Sequence, residues 1–186
     1  MIKPWKILSS VQTFKDRYLS IRTDRCQHAG GHVVPTYHVL EFSDWATLIP
    51  VTDAGNVVLI REYRHAAGEV FIGLAGGVSD PGETDFEAVA ARELREETGY
   101  QAREYIHVGT CYPNPAVQNN RLHYYLALGC APTGNQKLDP NEEIEVLEMP
   151  YADFLKFEDQ PHQHALHAAA LFYAERYFTK HPHLRP

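Results

Sequence analysis

Glu93, Glu96 and Glu97 stand at i, i+3 and i+4 in the run RELREETGY, residues 92–100. If that run is helical, the spacing brings their carboxylates onto one face. Like charges held that close raise one another's pKa unless a cation keeps them ionised. Mg²⁺ suits such a set: it takes hard oxygen ligands, keeps several waters and is commonly bound by a few carboxylates plus substrate phosphate. Chemistry at a metal-bound phosphate is therefore the first expectation. The plainer alternative is a solvated face laced by i,i+4 pairs, of which Arg92–Glu96 is one.

A helix from Thr84 to Thr98 would position these groups. Thr84 is the expected N-cap, with Glu87 three residues on completing a capping box. Gly99 is the expected left-handed stop. Phe86, Ala90 and Leu94 lie four apart and form an apolar stripe suited to packing on a sheet. The glycine-rich stretch from Gly73 to Gly82 reads as a loop that lets the backbone approach closely and offer carbonyls or amides to the same place.

Strands surround this helix. KILSSVQTF (6–14), YLSIRTDRC (18–26) and VPTYHVLEF (34–42) read as antiparallel, the last following a Gly30-Gly31 turn. WATLIPVTDAGNVVLIREYR (45–64) is a hairpin turning at Asp53-Ala54-Gly55-Asn56. YIHVGTCYP, NRLHYYLALG and IEVLEM supply further strands, with Leu122, Tyr124, Leu126 and Leu128 alternating at period two. A short helix is expected from Pro150, and a longer one in HALHAAALFYAERYF, where Leu166, Ala170, Tyr173 and Tyr177 share a stripe. Strands mixed with separated helices, without regular βαβ alternation, indicate an α+β sandwich of helices on sheet.

Composition narrows the partners. The chain has 186 residues, 44% hydrophobic and 22% charged, enough for one ordinary domain with a small appended lobe. A net charge of -7 argues against a nucleic-acid polymer. The opening MIKPWKILSS has no long apolar run, so no signal peptide is expected, and no stretch is apolar enough for a membrane span. Cys26, Cys111 and Cys130 are scattered and lack a CxxC spacing, which fits the reducing cytoplasm.

The stretch 77–100 resembles the Nudix hydrolase signature: Gly, five residues, Glu, seven residues, then Arg-Glu-aliphatic-x-Glu-Glu-x-Gly-aliphatic. Gly77 is followed by five residues and Glu83, and RELREETGY matches the second half, with Tyr100 in the last apolar slot. Eight residues rather than seven separate Glu83 from Arg92. The resemblance implies a Nudix fold: an α/β/α sandwich with a mixed sheet, here with an N-terminal antiparallel sheet lobe. It implies hydrolysis of a nucleoside diphosphate linked to another moiety, using Mg²⁺ or Mn²⁺. The residues matching Glu93, Glu96 and Glu97 would hold metal, joined by the backbone carbonyl of Gly76, and Arg92 would pair with an acidic neighbour and orient the helix.

VVLIREYRHAAGEVFIGLAGG (57–77) resembles the ADP-ribose and nucleotide-sugar pyrophosphatase branch, although Gly73-Leu74-Ala75 stands where that branch usually shows Glu-Leu-Pro. On that likeness Arg64 would grip a phosphate; its alternative is an ion pair with Glu62 or Glu69. Asn119 and Arg121, in the Pro-stiffened CYPNPAVQNNR, would offer donors to ribose or phosphate, unless that segment is an ordinary turn. Glu142 or Glu143 in DPNEEIEV is the expected general base, with Glu142 preferred, acting beside the catalytic carboxylates Glu96 and Glu97. Trp45 is a candidate stacking platform or a core residue. The lobe of residues 1–43 resembles one that swaps across a homodimer, leaving 44–186 as the catalytic domain. His162, His164 and His167 lack carboxylate company and are not expected to bind zinc. The reading that follows is Mg²⁺-dependent hydrolysis of ADP-ribose or nucleoside diphosphate sugars. Dinucleoside polyphosphates, or a non-hydrolysing Nudix module that binds a nucleotide sugar, are its alternatives.

Overall fold

The computed structural model describes residues 1–17, 19–156 and 164–186. Tyr18, at the start of one expected strand, and His162 lie outside the described residues. The chain divides into two compact units: residues 1–44 with 112–121, and residues 45–111 with 122–186.

The first unit is an antiparallel sheet of β1 (Lys6–Lys15), β2 (Ser20–Gln27) and β3 (Val33–Glu41), in that order. Asp24 is its buried carboxylate, accepting from Ser10 Oγ at 2.6 Å and from Arg22 Nε at 3.1 Å; Arg22 also reaches Glu41 at 2.7 Å. The segment 112–121 lies along β3, with Leu40 N–H donating to Val117 at 2.7 Å and Tyr37 hydroxyl to Ala116 at 2.6 Å. Ile7, Val11 and Phe14 remain exposed along β1.

The second unit is a helix–sheet–helix sandwich. Its strands are β4 (Trp45–Thr52), β5 (Asn56–Arg64), β6 (Glu69–Gly73), β7 (Gly76–Val78), β8 (Tyr100–Gln101), β9 (Glu104–Cys111), β10 (Leu122–Pro132) and β11 (Ile144–Pro150). The sheet runs β11-β5-β4-β10-β8, with β6, β7 and β9 added to β5, β4 and β10. The sheet is mixed: β4 and β10 pair in parallel while the other pairings are antiparallel. Among the described residues its helices are α1 (Phe86–Thr98), α2 (Tyr151–Lys156) and α3 (Ala165–Lys180).

Period-two alternation gives each face of the sheet its own core. Ala46 and Leu48 of β4, with Tyr125 and Ala127 of β10, pack against Val89, Ala90 and Leu94 of α1. Ile49 and Val51, with Leu122, Tyr124 and Leu126, pack against Phe154 of α2 and Ala170, Leu171, Ala174 and Phe178 of α3. One face thus carries α1 and the other α2 and α3, as the sandwich expectation requires.

Two expectations are corrected. The N-cap of α1 is Asp85, not Thr84: its carboxylate accepts the Ala88 N–H at 3.1 Å, so the Thr84–Glu87 capping box is not used. A charged cap that completes a bond three residues on satisfies the helix's orphan donor without help from Thr84. The stretch Gly73 to Gly82 is also not all loop, since Gly76–Val78 forms β7 against Trp45, Ala46 and Thr47. The stop is as expected: Gly99 is left-handed, φ 74°, and its N–H returns to Arg95 at 2.9 Å.

Candidate active site

With Val89, Ala90 and Leu94 turned into the sheet, the 3.6-residue period aims Glu93 and Glu97 toward the neighbouring strand β7. Both are buried despite their charge. Gly76 N–H donates to Glu97 Oε2 at 2.9 Å. A Cβ on Gly77 would stand 2.5 Å from Glu93 Oε1, so glycine there is what admits the carboxylate.

Arg92 gathers the acidic groups. Its Nη1 lies 2.7 Å from Glu93 Oε1 and 3.2 Å from Glu96 Oε2, bringing those two carboxylates to one nitrogen. Its Nη2 donates to Val78 carbonyl at 3.2 Å and stands 4.0 Å from Glu83, which in turn accepts Asp80 N–H at 3.1 Å. The pairing with acidic neighbours expected for Arg92 is present.

Electrostatics show what the arrangement lacks. Burial pushes Glu97 up to about 8, against the Gly76 hydrogen bond, with Glu93, Glu62 and Glu142 adding repulsion. Burial likewise pushes Glu93 up to about 7, against Arg92, with Glu96 and Glu142 adding to it. Glu62, at the far end of β5, is also raised, by burial first and by Glu142 last. A single guanidinium does not compensate this much buried negative charge. A divalent cation fits the donor set, which is all hard carboxylate oxygen in a partly desolvated place. Among the described residues no three acidic, imidazole or thiol side chains are already grouped around one point. Arg92 stands between Glu93 and Glu96 and occupies oxygens of both.

The raised pKa values set a pH dependence. A folded-state carboxyl above its ordinary 4.5 contributes stability that is complete below 4.5 and is lost as pH rises through the folded value. His167 works oppositely. Burial holds it down at about 3, so its contribution is full above 6.5 and lost as pH falls. Between about 4.5 and 6.5 His167 offsets only part of what the two carboxylates lose, and above 6.5 only the carboxylates act. In EDTA, Tm therefore falls between pH 6.5 and 8, by about 2 kcal/mol or roughly 5 °C. A saturating divalent ion is expected to remove the fall. A Tm in EDTA that is flat or rising over that range contradicts this account.

Residues 43–170 match the NUDIX domain family, and residues 5–40 match the nucleoside diphosphate sugar hydrolase N-terminal domain. The chain belongs to the Nudix family. It is similar to the ADP-ribose pyrophosphatase of Bacillus subtilis, 24% identical over 81% of each chain. It is also similar to the ADP-ribose pyrophosphatase of Mycobacterium tuberculosis, 28% identical over 74% of this chain and 66% of that one. Among solved structures it superposes on an ADP compounds hydrolase with a TM-score of 0.84, 21% identity and 97% of each chain covered, which shows the fold.

The remaining expected residues of this Nudix chain fall in different places. Glu142 is exposed, with Oε2 accepting Asp139 N–H at 2.8 Å, and its charge is felt by Glu62, Glu93 and Glu97. Glu143, the other expected base, is exposed next to it. Arg64 is paired with Glu62 and keeps 44% of its side chain exposed. Trp45 packs into the core cluster on the α3 side of the sheet, with its buried Nε1 unpartnered among the described residues. Asn119 and Arg121 belong to the first unit: Asn119 Oδ1 accepts Phe42 N–H at 3.2 Å, and the Arg121 guanidinium lies over the Tyr112 ring at 5.8 Å. Of the histidines, His164 caps α3 and His167 accepts a backbone N–H.

Glu62 is the site residue that sequence reasoning missed, having entered only as a partner for Arg64. It pairs with Ile144 across β5–β11, two residues from Glu142 in the chain, and its charge reaches Glu97.

Proposed function

We propose that the chain hydrolyses the pyrophosphate linkage of ADP-ribose and of nucleoside diphosphate sugars in a Mg²⁺-dependent reaction, giving nucleoside monophosphate and sugar phosphate; Mn²⁺ is the alternative ion. The observation that carries it is the buried carboxylate group Glu93–Glu97 of the Nudix helix, facing β7 and underfilled with positive charge. The names of the relatives in B. subtilis and M. tuberculosis support the substrate class.

When bound, the divalent ion would supply charge neutralisation at the phosphoryl oxygens and a more acidic water. Glu93, Glu96 and Glu97 would hold it, together with the carbonyl of Gly76. Gly76 N–H keeps Glu97 turned inward, and Arg92 holds Glu93 and Glu96 together. Glu142, fixed by Asp139 N–H, takes the proton of the attacking water. Arg64 is assigned to a substrate phosphate, its half-exposed fork leaving Glu62 to do so. Trp45, Asn119 and Arg121 remain the candidates for base, ribose and phosphate contacts. Positioning and electrostatics carry the rate, and no covalent intermediate with the protein is needed.

The exposed Trp5, Ile7, Val11 and Phe14 of the first unit support a homodimer formed through residues 1–43. The free thiols of Cys26, Cys111 and Cys130 support the cytoplasm as its location. Among the described residues no helix is long and apolar enough to cross a membrane.

The test is a Mg²⁺ panel of ADP-ribose, ADP-glucose, GDP-mannose and diadenosine polyphosphates with products separated by chromatography. AMP and ribose 5-phosphate from ADP-ribose are the expected products. Turnover of the polyphosphates alone would move the chain to that substrate class, and binding without turnover would make it a sensing module.

A further inference from the structure

Gly73 and His167 are distant in sequence and touch in the fold. Gly73 ends β6, and His167 lies in the first turn of α3. A Cβ on Gly73 would collide with Cε1 of the imidazole, so the ring sits directly against bare backbone. The same ring accepts the N–H of Leu74 at Nε2, 3.3 Å away. Burial, with His164 and Arg64 adding to it, holds His167 down at about 3, so the ring is neutral. Accepting at Nε2 places its proton on Nδ1.

The backbone that continues from Leu74 is fastened residue by residue to three elements, α3, β4 and α1. Leu74 is tied to α3 through His167. Ala75 carbonyl accepts Thr47 Oγ1 at 3.0 Å and Leu48 N–H at 3.3 Å, both from β4. Gly76 N–H holds Glu97 of α1, and Gly77 faces Glu93. Leu74 is itself buried, so without the imidazole its N–H has no water to turn to.

We propose that His167 is a positioning residue for the carboxylate site: by seating against Gly73 and accepting the Leu74 N–H, it fixes the strand whose amide at Gly76 orients Glu97. This rests on the assignment of Glu93, Glu96 and Glu97 as metal holders. It also accounts for the departure at residues 73–75. Glycine is required at 73 because α3 supplies an imidazole to that spot, where a side chain on the strand would otherwise stand.

The experiment compares His167→Leu with His167→Gln, whose amide oxygen accepts about where Nε2 does. Mn²⁺ binding is read by electron paramagnetic resonance without substrate, alongside Tm, kcat and KM for ADP-ribose. His167→Leu should weaken Mn²⁺ binding about tenfold and lower kcat with little change in KM, while His167→Gln stays within about threefold of the parent. Gly73→Ala should reproduce the loss, and adding it to His167→Leu should cost nothing more. Should His167→Leu not fold, His167→Asn, too short to reach Leu74, is read in its place with the same expectation. Undisturbed Mn²⁺ binding in the Leu or Asn variant overturns the inference, as does an equal loss in His167→Gln. A parent chain that binds no Mn²⁺ and turns over no substrate sinks the function reading and this inference with it.

Discussion

Glu97→Gln, saturated with Mg²⁺ and ADP-ribose, turns over about a thousandfold more slowly than the parent while remaining folded. Glutamine has the shape of the acid it replaces, and its amide oxygen still accepts the Gly76 N–H that Glu97 accepts at 2.9 Å. What it removes is the charge a divalent ion would bind. The same change removes a carboxyl that burial pushes up to about 8. In EDTA at pH 8 the variant is therefore at least as stable as the parent, because it carries no buried charge to desolvate. Activity and stability move in opposite directions, which a merely structural role for Glu97 does not produce. Single-turnover kinetics and thermal melts on the same sample decide it. A variant that keeps a tenth of the parent's kcat removes Glu97 from the machinery.

Gly76→Ala and Gly77→Ala separate folding from chemistry at adjacent residues. A Cβ at position 76 would stand 2.5 Å from Ala46 carbonyl oxygen and 2.7 Å from Thr47 Cα. Those are backbone atoms of β4, pinned between β10 and β7, and they cannot yield. The expected cost is about 3 kcal/mol, with activity lost alongside. At position 77 the crowding partner is instead the carboxylate of Glu93, the free end of a flexible side chain. Gly77→Ala should cost less than about 1 kcal/mol, since the carboxylate swings aside, yet lose roughly a hundredfold in kcat because it swings out of the proposed metal site. Urea unfolding gives the first number and steady-state kinetics the second. Equal destabilisation by both variants contradicts this division.

Much of this was legible before any coordinates. The spacing of Glu93, Glu96 and Glu97 and the glycine after Thr98 are local features, so the acidic helix, its stop and its apolar stripe could be read from residues a turn apart. Leu122, Tyr124 and Leu126 alternate because one face of β10 meets α3, and period two records that directly. The start of the helix was harder, since Thr84 and Asp85 are both capping residues and the choice turns on which oxygen meets an orphan N–H. β7 carries almost no signal: Gly76 and Gly77 have no β propensity, and the strand exists through its ladder to β4 and the carboxylates above it. Glu62 was hidden for the same reason. Nothing in REYR states that α1 will lie beside it; only the placement of the helix over the sheet turns a charged strand end into part of a site.

The parallel ladder between β4 and β10 couples Trp45 to Leu122, the two ends of a long excursion of chain. Such distant partners meet only after a large loss of loop entropy, so slow folding is built into the topology. During synthesis the acidic helix leaves the ribosome well before β10 does. Until then it lacks half of its apolar floor, the half formed by Tyr125 and Ala127. The helix that carries the carboxylates therefore seats fully only once β10 has joined the sheet.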